Sequence, residues 1–390
     1  MDLTLKKVNK TYKKVNPSNY LSEINKKNIR KLERQRKTLF HSKLHLPVDL
    51  FKDKKLLDLG SGTGIYSIIY NLWGSDCTLV EFDKKSFIKS KKIFHKFQRK
   101  NSINNFYNKD IFKFRGEFLY DIVHCNGVLH HTSKKNLGIE LMAANLKKGG
   151  ILILGASIIT GFFQRNLQRY ILYKISKNKK EIIENSKKYF GEHLKRAAKG
   201  SGRSVLAIIY DTYINYKIDS FSLEDLLKTF KKNKIEFYSS FPSINFINDA
   251  DMEWKHYGGN NPDKESIDFT NLIWFSRNKS TQNIEFKNYC KNILLISKTL
   301  NNISYENRND FSQKIKKIKK KVDAISDDKN RGKGELFRSK HFYYFNEVRI
   351  LIDILLKNKK KDLKYFLKKT KYLFKGYSGI GMNYFVGFKK

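Results

Sequence analysis

Three glycines at alternate positions, Gly60, Gly62 and Gly64, stand in the run KLLDLGSGTGIYS from Lys55 to Ser67. A short apolar run precedes them and a helix-like run follows. Glycine lets the backbone turn tightly and come close to a ligand. A helix start offers free N–H groups and the positive end of a dipole. The pattern is not the G-x-G-x-x-G of a dinucleotide site, and the G-K-[ST] of a nucleoside triphosphatase is absent. Glu81 lies 23 residues past Asp58, at the end of the next apolar run in TLVEFD. A carboxylate there can accept hydrogen bonds from both hydroxyls of a ribose. Asp83 is its nearest rival and reads better as the cap of the helix that follows.

Three further segments come in order: NKDIF at 108–112, YDIVHCNGVLHHT at 120–132 and LKKGGILIL at 146–154. With LLDLGSGTG and VEFD they resemble the motifs of class I S-adenosylmethionine-dependent methyltransferases, in style nearest to the small-molecule enzymes. The resemblance implies a bound S-adenosylmethionine, with the glycine loop passing its methionine part. Asp58 would then help hold the loop and the cofactor's amino group. Glu81 would take the ribose, Asp110 the adenine amino group, and Asn126 in the fourth-strand motif would join the cofactor contacts. The chemistry fits these residue types. A sulfonium donor needs no phosphate-binding basic cluster, and in-line methyl transfer gains much from alignment alone. It requires no metal and no covalent intermediate, and the adjacent His130 and His131 have no Cys, Asp or Glu at ligand spacing.

The segment after the fourth strand narrows the acceptor. Related enzymes that methylate exocyclic amines of nucleic-acid bases often carry Asn/Asp-Pro-Pro-aromatic there, whereas this chain has Asn126-Gly127-Val128-Leu129-His130-His131. GVLHH is similar to enzymes acting on quinones, lipids and natural products, which points to a small or lipid-like acceptor. RNA ribose or ring-carbon methylation stays open. His131 is a candidate general base for an acceptor hydroxyl, against a plain packing role. Arg165, Arg169, His193, Arg196 and Arg203 fall close together in a region where class I methyltransferases commonly add substrate-covering helices. Arg suits bidentate recognition of carboxylate or phosphate, and a solvated helical face is the alternative. Tyr210 and Asp211, in YDTY, offer an aromatic wall and a second candidate base.

These residues need an α/β frame. Apolar runs that read as strands (55–59, 77–82, 105–107, 120–125, 150–154) alternate with helical stretches at 64–72, 85–99 and 134–145, the βαβ pattern. After a helical interruption the rhythm resumes with a helix at 223–232 and strands at 235–239 and 271–276. The C-terminal GYSGIGMNYFVGFKK reads as a glycine-rich turn, in which Gly376, Gly379, Gly381 and Gly387 imply close backbone approach, and then a final strand. The expected fold is α/β: a Rossmann-like seven-stranded methyltransferase sheet with a helical insertion and a mainly helical C-terminal domain. The expected organisation is an N-terminal helical segment at 1–50, a cofactor-binding core at 51–160, a helical lid at 161–220, completion of the core at 221–280, and a Lys-rich helical domain at 281–390 that carries no recognisable motif.

Composition constrains the rest. The chain has 390 residues, 79 Lys+Arg against 37 Asp+Glu and a formal net charge of +42. Hydrophobic content of 40% supports a sizeable core. Three cysteines exclude a disulfide scaffold or a cysteine-rich zinc module and fit a reducing, cytoplasmic setting. The charge is mostly Lys, and Asn and Ile are abundant too. A bias toward AT-rich codons gives that combination without any ligand. The charge therefore permits contact with nucleic acid or an anionic membrane without demonstrating either. The amphipathic stretch at 311–322 suits an anionic lipid surface or an ordinary exposed helix. The longest apolar run, 149–163, is short for a membrane span. The rival readings are an RNA methyltransferase docking through the basic C-terminal region and a non-catalytic scaffold retaining the fold. The oligomeric state is not legible.

Overall fold

The computed structural model describes residues 7–8, 11, 15, 24–244, 262, 264–276, 286–301, 303, 310–326, 340–357, 360–374 and 382–390. In chain order, helix α1 (Lys26–Lys37) leads to strand β1 (Lys55–Leu59), α2 (Ser67–Leu72), β2 (Asp76–Val80), α3 (Lys84–Phe97), β3 (Asn105–Tyr107) and β4 (Tyr120–Asn126). Then come α4 (Lys135–Ala144), β5 (Leu146–Ala156), α5 (Phe163–Ile175), α6 (Lys179–Ser201), α7 (Val205–Ile209), α8 (Leu223–Lys232) and β6 (Ile235–Phe241). The last elements are α9 (Lys264–Ser276), α10 (Phe286–Leu300), α11 (Phe311–Ser326), α12 (Lys340–Lys357), α13 (Lys360–Lys369) and β7 (Asn383–Lys389).

The chain divides into two compact units. One comprises residues 1–156, 224–262 and 382–390; the other comprises 157–223 and 263–381.

The first unit holds the sheet, in the order β3-β2-β1-β4-β5-β7-β6. The strands pair in parallel from β3 to β5, and β7 runs antiparallel to both β5 and β6. This is the seven-stranded arrangement that the resemblance implied. Leu56–Leu59 and Cys77–Val80 are buried residue after residue, as strands covered on both faces must be. Strand order reverses between β1 and β4, which opens a crevice beyond their carboxyl ends, where open α/β sheets take ligands. The KKGG turn is an excursion within β5: the ladder with β4 jumps from Leu146 to Ile151, and Gly149 has φ +73°. Phe40, Phe51, Tyr70 and Trp73 form an aromatic cluster, with Phe51 and Tyr70 stacked at 5.2 Å. Asp83 caps α3 by accepting the Ser86 N–H at 2.9 Å.

One expected strand is absent. Residues 271–276 form the end of α9, where Leu272, Trp274 and Phe275 are buried. An apolar run that is buried all round carries no period that separates strand from helix. The strand that completes the sheet comes from the C-terminus. At Gly387 in β7, a Cβ would lie 2.4 Å from the Ile235 Cγ2 and 2.7 Å from the Glu236 carbonyl oxygen, the close approach that glycine permits. Gly376, Gly379 and Gly381 lie outside the described residues.

The second unit is helical. Its core runs from Phe163, Leu167 and Ile171 of α5 through Ile293 and Ile296 of α10 to Val348 and Leu351 of α12. The apolar stripe of α11, carried by Phe311, Ile315, Ile318 and Val322, is buried in this core. Helix α6 kinks at Phe190, and α7 continues into a π-helical turn at Tyr210–Ile214. Among the described residues no helix is long and apolar enough to cross a membrane.

Candidate active site

The loop after β1 is built by its glycines. Gly60, Gly62 and Gly64 have φ of +76°, +57° and +70°, a region that costs L-residues with a Cβ. Space is tight as well: a Cβ on Gly60 would sit 2.4 Å from the Val128 Cγ2, and one on Gly64 would sit 2.9 Å from the Ser90 Cβ. The N–H groups of Gly60 and Ser61 donate to the Val80 carbonyl at 2.8 and 3.1 Å, tying the loop to β2.

Glu81 follows β2 and is buried. Its Oε2 accepts the Gly62 N–H at 2.7 Å and its Oε1 accepts the Asp83 N–H at 2.7 Å. Burial pushes its carboxyl from an ordinary 4.5 up to about 7; the two backbone donors oppose that rise, and the charges of Asp83 and Asp58 add to it. A carboxylate has about four lone-pair positions. Two are taken here, so the group can still accept both hydroxyls of a ribose.

Asp58, on β1, is buried with both oxygens engaged. Its Oδ2 accepts the Ser67 hydroxyl, and its Oδ1 accepts the His124 Nδ1–H at 2.9 Å. The His124 Nε2 then faces the Tyr70 hydroxyl at 3.2 Å, and Tyr70 accepts in turn from the Arg36 guanidinium. Arg36 also donates to the Tyr384 hydroxyl at 3.0 Å and lies 4.1 Å from the Tyr66 ring centre. Asp58 thus ties the start of α2 to a buried polar chain that begins on α1. The sequence reading missed Arg36, Ser67, Tyr70 and His124. A signal was present in YDIVHCN, where a histidine interrupts a continuous apolar strand.

Asn126 ends β4 beside Gly155 of β5. A Cβ on Gly155 would fall 1.9 Å from the Asn126 Oδ1, so the glycine makes room for this side chain. The Asn126 Oδ1 and the Ser61 Oγ are buried and meet no hydrogen-bond partner among the described residues. They sit at the two loops that flank the sheet's crevice. A ligand with N–H and O–H donors, such as an ammonium, adenine or ribose group, fits these oxygens and the Glu81 carboxylate. Asp110 is half-buried after β3, and its Oδ1 accepts the Phe112 N–H at 3.1 Å.

His130 and His131 lie in a 3₁₀ turn, Leu129–His131, with ring centres 4.2 Å apart. His130 is buried, and that burial holds its pKa well below the ordinary imidazole value. His131 is half-buried.

In the second unit the Arg and His residues separate by environment. Arg169 is fully buried and donates to the Tyr173 hydroxyl at 3.0 Å, the Asn215 carbonyl at 3.2 Å and the Ile303 carbonyl at 2.7 Å. Arg203 pairs with Asp211 at 2.8 Å. That contact engages the Asp211 Oδ2. Arg165 hydrogen-bonds Tyr213 and lies in the field of Arg203 and Asp211, and burial depresses its pKa. His193 is buried on α6, Arg196 is exposed on the same helix, and Tyr210 is half-buried. The structure thus brings Arg165, Arg203 and Asp211 together, places Arg169 one turn along α5 from Arg165, and leaves Arg196 exposed.

Residues 25–202 match the family model described as "Methyltransferase domain". None of the curated proteins matches the chain significantly in sequence. Among solved structures, PKMT2 from Rickettsia typhi in complex with AdoHcy is similar at 17% identity and TM-score 0.39, over 49% of this chain and 40% of that one. Magnesium protoporphyrin IX methyltransferase from Synechocystis with bound SAH is similar at 14% identity and TM-score 0.38, over 61% and 90%. A Listeria monocytogenes structure described as a putative S-adenosylmethionine dependent methyltransferase is similar at 21% identity and TM-score 0.27, over 33% and 55%. The match to the Rickettsia protein thus spans less than half of that protein's length. Likenesses this distant carry no conclusion about substrate. The strand order and the family match over 25–202 agree that this chain carries a class I S-adenosylmethionine-dependent methyltransferase fold.

Proposed function

We propose that the protein binds S-adenosylmethionine at the glycine loop and transfers its methyl group to an oxygen, carbon or nitrogen nucleophile of a small metabolite, lipid or cell-envelope precursor. The observation that carries this reading is the buried Glu81 carboxylate, held by the Gly62 N–H with lone pairs to spare at the mouth of the crevice. When bound, S-adenosylmethionine supplies an electrophilic methyl on a sulfonium, which the acceptor's lone pair takes as the sulfur leaves as a thioether and the acceptor sheds a proton. The chain's own task is to bind and align. Glu81 fixes the ribose, Asp110 the adenine amino group, and the Ser61 and Asn126 oxygens accept from the polar ends. Asp58 keeps the loop in place through Ser67. The His131 imidazole receives the proton from an acceptor hydroxyl.

The whole chain, incubated with methyl-labelled S-adenosylmethionine and separate metabolite, lipid and RNA fractions, tests this. Label is expected in the metabolite or lipid fraction. Label confined to RNA would overturn the acceptor class. Failure to bind the cofactor in calorimetry would overturn the reading entirely.

A further inference from the structure

Over its first two turns helix α5 is polar along roughly half of its circumference and yet largely buried there. Successive residues turn by about 100° in an α-helix. Gln164, Arg165, Asn166, Gln168 and Arg169 therefore spread over about 200°, while Phe163, Leu167, Tyr170 and Ile171 occupy the rest and join the helical core; Leu172 and Tyr173, farther along, bring core residues onto the same side. Asn166, Gln168 and Arg169 are each 0% exposed, and Gln164 is 1% exposed.

Buried polar groups in folded proteins are almost always hydrogen-bonded, because an unmet one costs its full desolvation. This face departs from that rule five times in a single turn and a half. The Arg165 Nη1, both polar atoms of the Asn166 carboxamide, the Gln168 Nε2 and the Arg169 Nη1 are buried and meet no partner among the described residues. The partnered atoms on the same face orient the rest. The Gln168 Oε1 accepts the Tyr213 hydroxyl at 2.8 Å, and the Gln164 Oε1 accepts the Phe374 N–H at 3.0 Å. Both amides are thus turned so that the Gln168 N–H₂ group has a fixed direction.

Charge adds to the hydrogen-bond imbalance. Among the described residues, Arg169 donates to neutral oxygens. Arg165 shares its surroundings with a second cation, Arg203, and with the Asp211 carboxylate, already in contact with Arg203. Buried cations are normally matched by anions. Four of the five unmet atoms are donors, and two of them belong to guanidinium groups.

We propose that the polar half of α5 is the recognition surface for the anionic group of a small ligand, a carboxylate or a phosphate monoester. Arg165 and Arg169 supply the charge, and the Asn166 and Gln168 amides supply directed donors. The Asn166 Oδ1 accepts from a hydroxyl or N–H of the same ligand.

The full chain is titrated with inorganic phosphate and with benzoate, against chloride at equal ionic strength, and thermal unfolding is followed. Stabilisation is expected to saturate at a concentration at least tenfold lower than any chloride effect. Asn166→Asp is nearly isosteric and places a negative charge on the same surface, so it is expected to weaken anion binding at least tenfold in a folded protein. Arg165→Gln is expected to do the same. Arg165→Lys guards against misfolding and is expected to keep binding with a smaller loss. An equal response to phosphate, benzoate and chloride, or unchanged anion affinity in Asn166→Asp, would overturn the site.

Discussion

With Glu81 as the proposed ribose ligand, cofactor binding is expected to depend on pH, with a sign and a size that follow from the surroundings of its buried carboxyl. Its pKa rises from 4.5 to about 7 because the ionised form is desolvated. At about 1.4 kcal/mol per pKa unit, that rise corresponds to about 3 kcal/mol against the carboxylate in the free protein. A ribose diol donates two hydrogen bonds, and the ionised form is the better acceptor of both. Binding therefore draws the group toward ionisation, and below its pKa that step releases a proton. Affinity should be constant above about pH 8 and fall about tenfold per pH unit below about pH 7, giving a loss of about 30-fold by about pH 5.5. Isothermal titration calorimetry measures the affinity directly. Repeating it in buffers of different ionisation enthalpy near pH 6 should show close to one proton released. Glu81→Gln cannot ionise, so it should bind weakly at every pH and lose the slope. A wild-type affinity that stays within twofold from about pH 8 to about pH 5.5 would refute the assignment. So would a slope that survives in Glu81→Gln. The free protein should show the complementary trend. A carboxyl whose folded pKa lies above its unfolded value keeps its proton where the unfolded chain has lost it. Its contribution to stability is therefore greatest below pH 4.5 and declines as pH rises to about 7.

Two further expectations concern the frame. Tyr70→Phe removes the hydroxyl between Arg36 and His124, leaving a buried guanidinium N–H and an imidazole nitrogen without that partner. It should destabilise the fold by about 1–3 kcal/mol in urea titration and weaken cofactor binding through the loss of order at Asp58; unchanged values in both would mean that the chain of bonds does not support the loop. Gly387→Ala drives a Cβ to within 2.7 Å of the Glu236 carbonyl oxygen in the neighbouring strand. A drop in unfolding midpoint with loss of cofactor binding is expected, whereas a midpoint equal to wild type would show that β7 is dispensable to the sheet.

Local chemistry determined a good deal by itself. The glycine loop is legible because a turn with three left-handed residues needs glycine at those places, whatever packs around it. Strands β1 and β2 and the second half of β5 are legible because parallel strands buried on both faces read as continuous apolar runs. Asp83 is legible as a helix cap because an acid just before a helix accepts one of its free N–H groups. Tertiary structure decided what depends on partners distant in sequence. Whether TNLIWFS is strand or helix turns on what surrounds an all-round apolar run, and here a helical core does. The sheet is completed by residues 383–389, inserted between β5 and β6, because strand pairing is a contact between segments and leaves no period in either one. His124 became part of the site's support only when Arg36 and Tyr70, brought from two helices, met it beneath Asp58. The Arg residues of α5 to α7 look alike in sequence. Burial sorted them into Arg196 in solvent, Arg203 in an ion pair, and Arg165 and Arg169 on a polar face whose donors the chain itself does not fully use, because desolvation and pairing are properties of a place in the fold and not of a residue type.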